Sequence, residues 1–228
     1  MIKRAAILLT LALLGVIFMQ MLAHYSPSIA LNPLSRHYVA SGPNELGAAN
    51  IVTAVVVTYR GLDTLGEVAV LFISAAGVGL LLRRQAGEIP REKHRCPSSE
   101  LVGTAIHFLL PLIFVLGIYI FLNGHLTPGG GFQGGAVLAS GIMLLLLADP
   151  DTGLNHGIIE WLESSSGFSY VLVGILGLVL AGGFLDNRFL GLGTLGQLFS
   201  AGAIPVIYIF IGLKVGTELS AVLERMKD

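Results

Sequence analysis

The feature that most restricts this chain is a series of apolar runs close to twenty residues long. A bilayer hydrocarbon core of ~30 Å needs about 20 apolar residues in a helix. Inside it every backbone N–H and C=O must find its partner within the protein, which leaves helices and closed barrels. Six stretches meet the helical requirement, at residues 5–23, 64–82, 101–122, 134–148, 168–185 and 198–219. Composition points the same way, since 12% of the residues are charged and 54% hydrophobic, against roughly 25% charged in a soluble domain. The expected fold is therefore an all-α integral membrane protein with about six transmembrane helices.

The first run follows Lys3 and Arg4 and has the outline of a signal peptide, but it is longer than the ~7–15 apolar residues of such a leader and no small-x-small cleavage site follows it. It is read as a retained first helix. A seventh apolar stretch, 48–58, would be only about 16 Å long as a helix at ~1.5 Å per residue. Charge placement settles its reading, because cytoplasmic loops collect Lys and Arg near helix ends. Six crossings put Lys3, Arg4, Arg83, Arg84, Arg91, Lys93, Arg95, Arg225 and Lys227 inside, with only Arg36, Arg60 and Arg188 outside. A seventh crossing would send the cluster at 83–95 to the other side. Residues 48–58 are thus expected as a short interfacial or re-entrant helix on the outer side, and both termini as cytoplasmic.

The polar loop at 83–100 is the best internal boundary. It divides a two-span region, residues 1–85, from a four-span region, residues 101–228, with residues 86–100 as the linker. No repeat relates the halves, which argues against the inverted-repeat architecture of self-sufficient transporters. The net charge of −1 speaks against a nucleic-acid partner. One cysteine, Cys96, excludes a cysteine-held metal or iron–sulfur site within the chain. No catalytic residue, metal or cofactor is expected, and no spaced histidine pair suits haem.

Four residues are candidates for an ion path. In the stretch Tyr59-Arg60-Gly61-Leu62-Asp63-Thr64-Leu65-Gly66-Glu67, a helix puts Arg60, Asp63 or Thr64, and Glu67 on one face. A carboxylate about one turn inside a membrane is costly and marks an ion path, a bundle interior or a paired partner. Glu67 leads on this ground, the alternative being an inert ion pair with Arg60. Asp63 is weaker, since an acidic first turn is what a helix N-terminus favours anyway. His107, two turns into the third span, is either functional or a neutral imidazole bonded to a carbonyl. Lys214, one and a half turns from the end of the last expected span, either snorkels to the headgroups, the favoured reading, or carries protons.

A second group is structural. The sequence Gly124-His125-Leu126-Thr127-Pro128-Gly129-Gly130-Gly131-Phe132-Gln133-Gly134-Gly135 lacks the Gly-Lys-Ser/Thr ending of a phosphate loop. His125, Pro128, Gly129, Gly130, Gly131, Phe132, Gly134 and Gly135 are expected to shape a compact loop feeding a closely packed helix. Pro205 is expected to kink the last span.

These stretches resemble a known family. Residues 100–222 resemble the B subunit of multi-subunit Na⁺/H⁺ antiporters of the Mrp (also called Mnh) type, in the glycine-rich motif, in the residues at 199–205 and in Gly212-Leu213-Lys214-Val215. Residues 45–84 resemble the C-terminal region of the antiporter A subunit, or the small subunit that replaces it in membrane-bound hydrogenases. The resemblance implies a fused subunit of a complex I-like membrane arm in a prokaryotic cell (inner) membrane, with other Mrp-type or hydrogenase-type membrane subunits as partners and Na⁺ and H⁺ as the transported ions. Glu67 then matches an acidic residue of a Na⁺ path. Thr58 stands where antiporter A subunits often carry aspartate, which leans toward the hydrogenase-like branch and a redox-driven complex. The chain is expected to be non-catalytic by itself. A purely structural or assembly subunit with inert acidic groups is the alternative.

Overall fold

The computed structural model describes residues 2–25, 30–82, 98–149 and 152–227. The expected cytoplasmic loop, with Cys96 and the arginines that set the topology, falls mostly on residues 83–97 and lies outside them. Among the described residues, six helices are long and apolar enough to cross a membrane, and no strand is present. The chain is the all-α membrane protein that its apolar runs require.

Two units are separated by contact density, Met1–Arg36 and His37–Asp228. The first holds α1 (Ile2–Ala23), apolar on every face and exposed along its whole described length. A helix with no polar stripe is solvated by lipid or by other membrane helices. It also holds the start of α2 (Pro33–Leu46), a 14-residue helix that hydropathy does not reveal. Pro33 occupies the first helical position, where its missing N–H costs nothing, and Asn32 Oδ1 accepts the N–H of Ser35 at 2.7 Å.

In the second unit, the short apolar stretch folds as α3 (Ile51–Thr53), a π-helical turn (Ala54–Tyr59), and then α4 (Gly61–Leu81). Asn50 caps α3, its Oδ1 accepting from Val52 and Thr53. The wide turn ends where the N–H of Arg60 reaches the carbonyl of Val55 at 2.8 Å. The carbonyl of Val56 is satisfied by Thr64 Oγ1 at 2.7 Å, so the break leaves this carbonyl no unpaired burden in an apolar setting.

Four further long helices follow: α5 (Glu100–Leu122), α6 (Gly131–Ala148), α7 (His156–Ala181) and α8 (Ile204–Lys227). α8 is the most buried, lying against α4, α5, α6 and α7. The glycine motif explains the close approach. A Cβ on Gly131 would sit 2.6 Å from Ile211 of α8, on Gly134 2.6 Å from the Gly117 carbonyl of α5, and on Gly135 2.7 Å from the Gly212 carbonyl of α8. Any larger residue at these positions would push the backbones apart.

The boundaries of α7 and α8 differ most from expectation. α7 begins twelve residues before the apolar run, because Glu160, Glu163 and Ser164 to Ser166 lower its hydropathy without stopping the helix, which Asn155 caps. α8 begins at Ile204, so Pro205 lies in its first turn and starts the helix instead of kinking it. The preceding turn passes through Ala201 and Gly202, both at positive φ.

Candidate ion-handling site

Glu67 and Asp63 lie on the exposed side of α4. Asp63 is held by Arg60, with Arg60 Nη2 2.6 Å from Oδ2. Arg60 therefore pairs with Asp63 and not with Glu67. Glu67 makes no hydrogen bond or ion pair with the described residues and meets only the electrostatic reach of Tyr170 on α7. The Tyr170 hydroxyl is itself buried without a hydrogen-bond partner. His107 is exposed on α5.

Lys214 stands apart from its expected place. Because α8 runs on to Lys227, Lys214 is thirteen residues from that end, roughly 20 Å at ~1.5 Å per residue. Its side chain is held among the helices. Its residue is 8% exposed, and Nζ lies 3.1 Å from Glu163 Oε1 on α7 and 2.5 Å from Glu218 Oε1 one turn along α8. The ring of Phe72 on α4 lies 4.6 Å from the same nitrogen, a cation–π contact that costs no polar group. Gly167 leaves room for the lysine stem, since a Cβ there would touch Lys214 Cε at 3.4 Å. Nearer the same end of α8, Glu224 accepts the N–H of Leu154 at 2.8 Å and lies 3.6 Å from His156 Nδ1.

Sequence reading missed Glu163 and Glu218. The Lys214-to-Glu218 spacing of four is a visible helical signal, whereas Glu163 is 51 positions away and only folding brings it in.

The structural motif closes the opposite end of the unit. Asn50 Nδ2 donates to the carbonyls of Gly124 at 2.9 Å and Thr127 at 3.0 Å. Thr53 Oγ1 donates to Gly124 O at 2.6 Å, and Tyr208 Oη donates to Thr53 Oγ1 at 2.9 Å. The motif thus clasps α3 to α8. His125 is fully buried in it, beside backbone groups of Leu122, Gln197 and Leu198, and burial holds its imidazole pKa below the ordinary value. Pro128 is exposed, Gly129 and Phe132 half-buried, and Gly130, Gly131, Gly134 and Gly135 buried. Close by, Asn187 donates to the carbonyls of Leu46 at 2.8 Å and Ala201 at 2.7 Å. Arg188 grips Asp186 through Nε at 2.9 Å and Nη2 at 2.5 Å, which holds the Asp186 carboxyl below the usual range.

The comparisons with known proteins divide along the chain. Residues 101–221 match the family described as a domain related to the MnhB subunit of Na⁺/H⁺ antiporter, and residues 3–95 match the MbhE family of MBH subunits. An uncharacterised protein of Methanocaldococcus jannaschii is 30% identical over 239 aligned residues, covering 94% of this chain and 88% of that one. A chain in the structure of the membrane-bound sulfane sulfur reductase, an archaeal respiratory membrane complex, superposes with a TM-score of 0.82 at 41% identity, covering 99% of this chain and 98% of that one. A chain of the Mrp complex from Dietzia sp. shares the fold, with a TM-score of 0.75 at 24% identity over 98% of this chain and 26% of that one.

Proposed function

The chain belongs to the family of domains related to the MnhB subunit of Na⁺/H⁺ antiporter, and from that premise we propose that it is one membrane subunit of a multisubunit cation/proton antiporter or a related complex I-like assembly, where Glu67 contributes to a cation path shared with a neighbouring subunit. One observation carries the reading. Glu67 sits on a membrane-length helix, exposed, with no ion-pair or hydrogen-bond partner among the described residues. A carboxylate facing hydrocarbon costs several kcal/mol, so the exposed face of α4 calls for another protein or a water-filled path. The two family matches support a chain built as a fusion, with residues 1–85 related to the hydrogenase small subunit and 101–228 to the antiporter B subunit. The 41% identity to a chain of a respiratory complex supports the redox-coupled branch, and the lysine and arginine asymmetry supports a cell membrane location with both termini at the cytoplasmic face. Na⁺ and H⁺ are the ions proposed.

Glu67→Gln keeps the side chain's size and removes its charge. The expected result is a complex assembled in normal amount whose Na⁺-dependent pH changes in vesicles fall at least several-fold. Wild-type exchange by that complex would leave the assembly reading, which the clasp of glycines between α5, α6 and α8 independently favours.

A further inference from the structure

We propose that Glu218 is a proton-binding site in the interior of this subunit, carrying a proton on Oε2 and leaving Lys214 and Glu163 as a neutral ion pair. Two carboxylates and one ammonium sum to −1 if all three are ionised. That excess charge would lie deep in helices of membrane length, where an unneutralised charge is strongly disfavoured. One further positive charge removes it, and a proton is the smallest that fits.

Geometry selects Glu218 over Glu163. Glu218 is 1% exposed; its Oε1 lies 2.5 Å from the ammonium, and its Oε2 is buried with no hydrogen-bond partner among the described residues. Glu163 accepts a well-formed hydrogen bond from Lys214 Nζ at 3.1 Å and keeps 22% of its side chain accessible. Both carboxylates meet the ammonium, so burial decides between them: the ionised form belongs where solvent remains, and the neutral acid where it is excluded. Among the described residues, nothing else facing the site changes the sum. α4 presents the Phe72 ring, with Glu67 lying further along that helix toward Tyr170. α6 carries no Asp, Glu, Lys, Arg, His or Tyr, and Glu100, His107 and Tyr119 of α5 are exposed, as is Glu160 of α7. On α8 itself, Tyr208 is engaged with Thr53, Glu224 with Leu154 and His156, and Arg225 is exposed beside Gly79.

The proton enters as hydronium from the aqueous side and leaves water behind. Lys214 stays an ammonium and positions the site. The proposal concerns a different group from Glu67 and stands without it.

Infrared spectroscopy of the purified, lipid-embedded complex across neutral pH tests this through the protonated-carboxyl band. The wild-type complex is expected to show a band that Glu218→Gln removes. Glu163→Gln should remove it as well, because Lys214 then needs an ionised Glu218 as its only counterion. This second loss is one that a merely structural Glu163 would not cause. A Glu218→Gln spectrum identical to wild type, or a Glu163→Gln complex that retains the band, overturns the proposal. So does a wild-type band that NaCl abolishes at fixed pH, since a metal cation would then compete for the site. None of these results bears on Glu67, whose test reads ion exchange.

Discussion

Charge is handled in opposite ways on α4 and α8. On α8, Lys214 and Glu218 are buried, and Glu163 of α7 and Phe72 of α4 complete their surroundings within the one chain. On α4, Glu67 is exposed with no ion-pair or hydrogen-bond partner among the described residues. The helix that is satisfied internally is the one at the centre of the unit, and the helix that is not lies at its margin. This contrast is what the proposed role of Glu67 at a subunit boundary rests on.

The contrast breaks most completely at the glycines that bring α6 against α5 and α8. Gly135→Leu would drive a side chain into the Gly212 carbonyl and Val215. The expected outcome is loss of the subunit from the assembled complex, read by co-purification; normal assembly would mean the helices have slack that the geometry does not show. Lys214→Met is next. Removing one partner of a buried ion pair typically costs about 3–5 kcal/mol, so the thermal midpoint of the complex should fall clearly. An unchanged midpoint would place Lys214 in water.

His125 gives a graded effect. Its pKa is held below the unfolded value by burial, so as pH falls through about 6.5 the unfolded chain takes up a proton that the folded chain refuses. Stability is therefore full above that pH and declines below it, by at most ~1.4 kcal/mol per pH unit from this group. A melting series from pH 8 to pH 5 on wild type and His125→Gln would show it, with the variant's slope the shallower. The smallest effect belongs to Asp63→Asn. Its pair with Arg60 is more than half exposed on both sides, and exposed pairs contribute roughly 0–1 kcal/mol. Assembly and exchange should both stay near wild type, which sharpens the difference from Glu67 one turn away.

Much of this was legible before folding, and the misses have causes. Apolar length revealed six crossings because hydrocarbon thickness acts on each helix separately. It misplaced the start of α7, where Glu163 is ionisable yet belongs to the helix, since hydropathy counts a charge as an ending while a partner on α8 makes it tolerable. It also missed α2, whose polar residues give no apolar run and whose start depends on Asn32 and Pro33.

The sequence by itself determined that this is a helical membrane protein, where its glycines crowd, and that Glu67 is an acid about one turn inside a membrane-length helix. These follow from composition and from spacings of three and four along one helix. Only the tertiary structure decided that Lys214 is a buried cation between two carboxylates and that Pro205 begins a helix. The first depends on α7 lying against α8, and the second on where the loop at residues 182–203 ends. Contacts between residues 51 positions apart leave no periodic trace in a chain, because it is the meeting of helices, and not any one helix, that creates them.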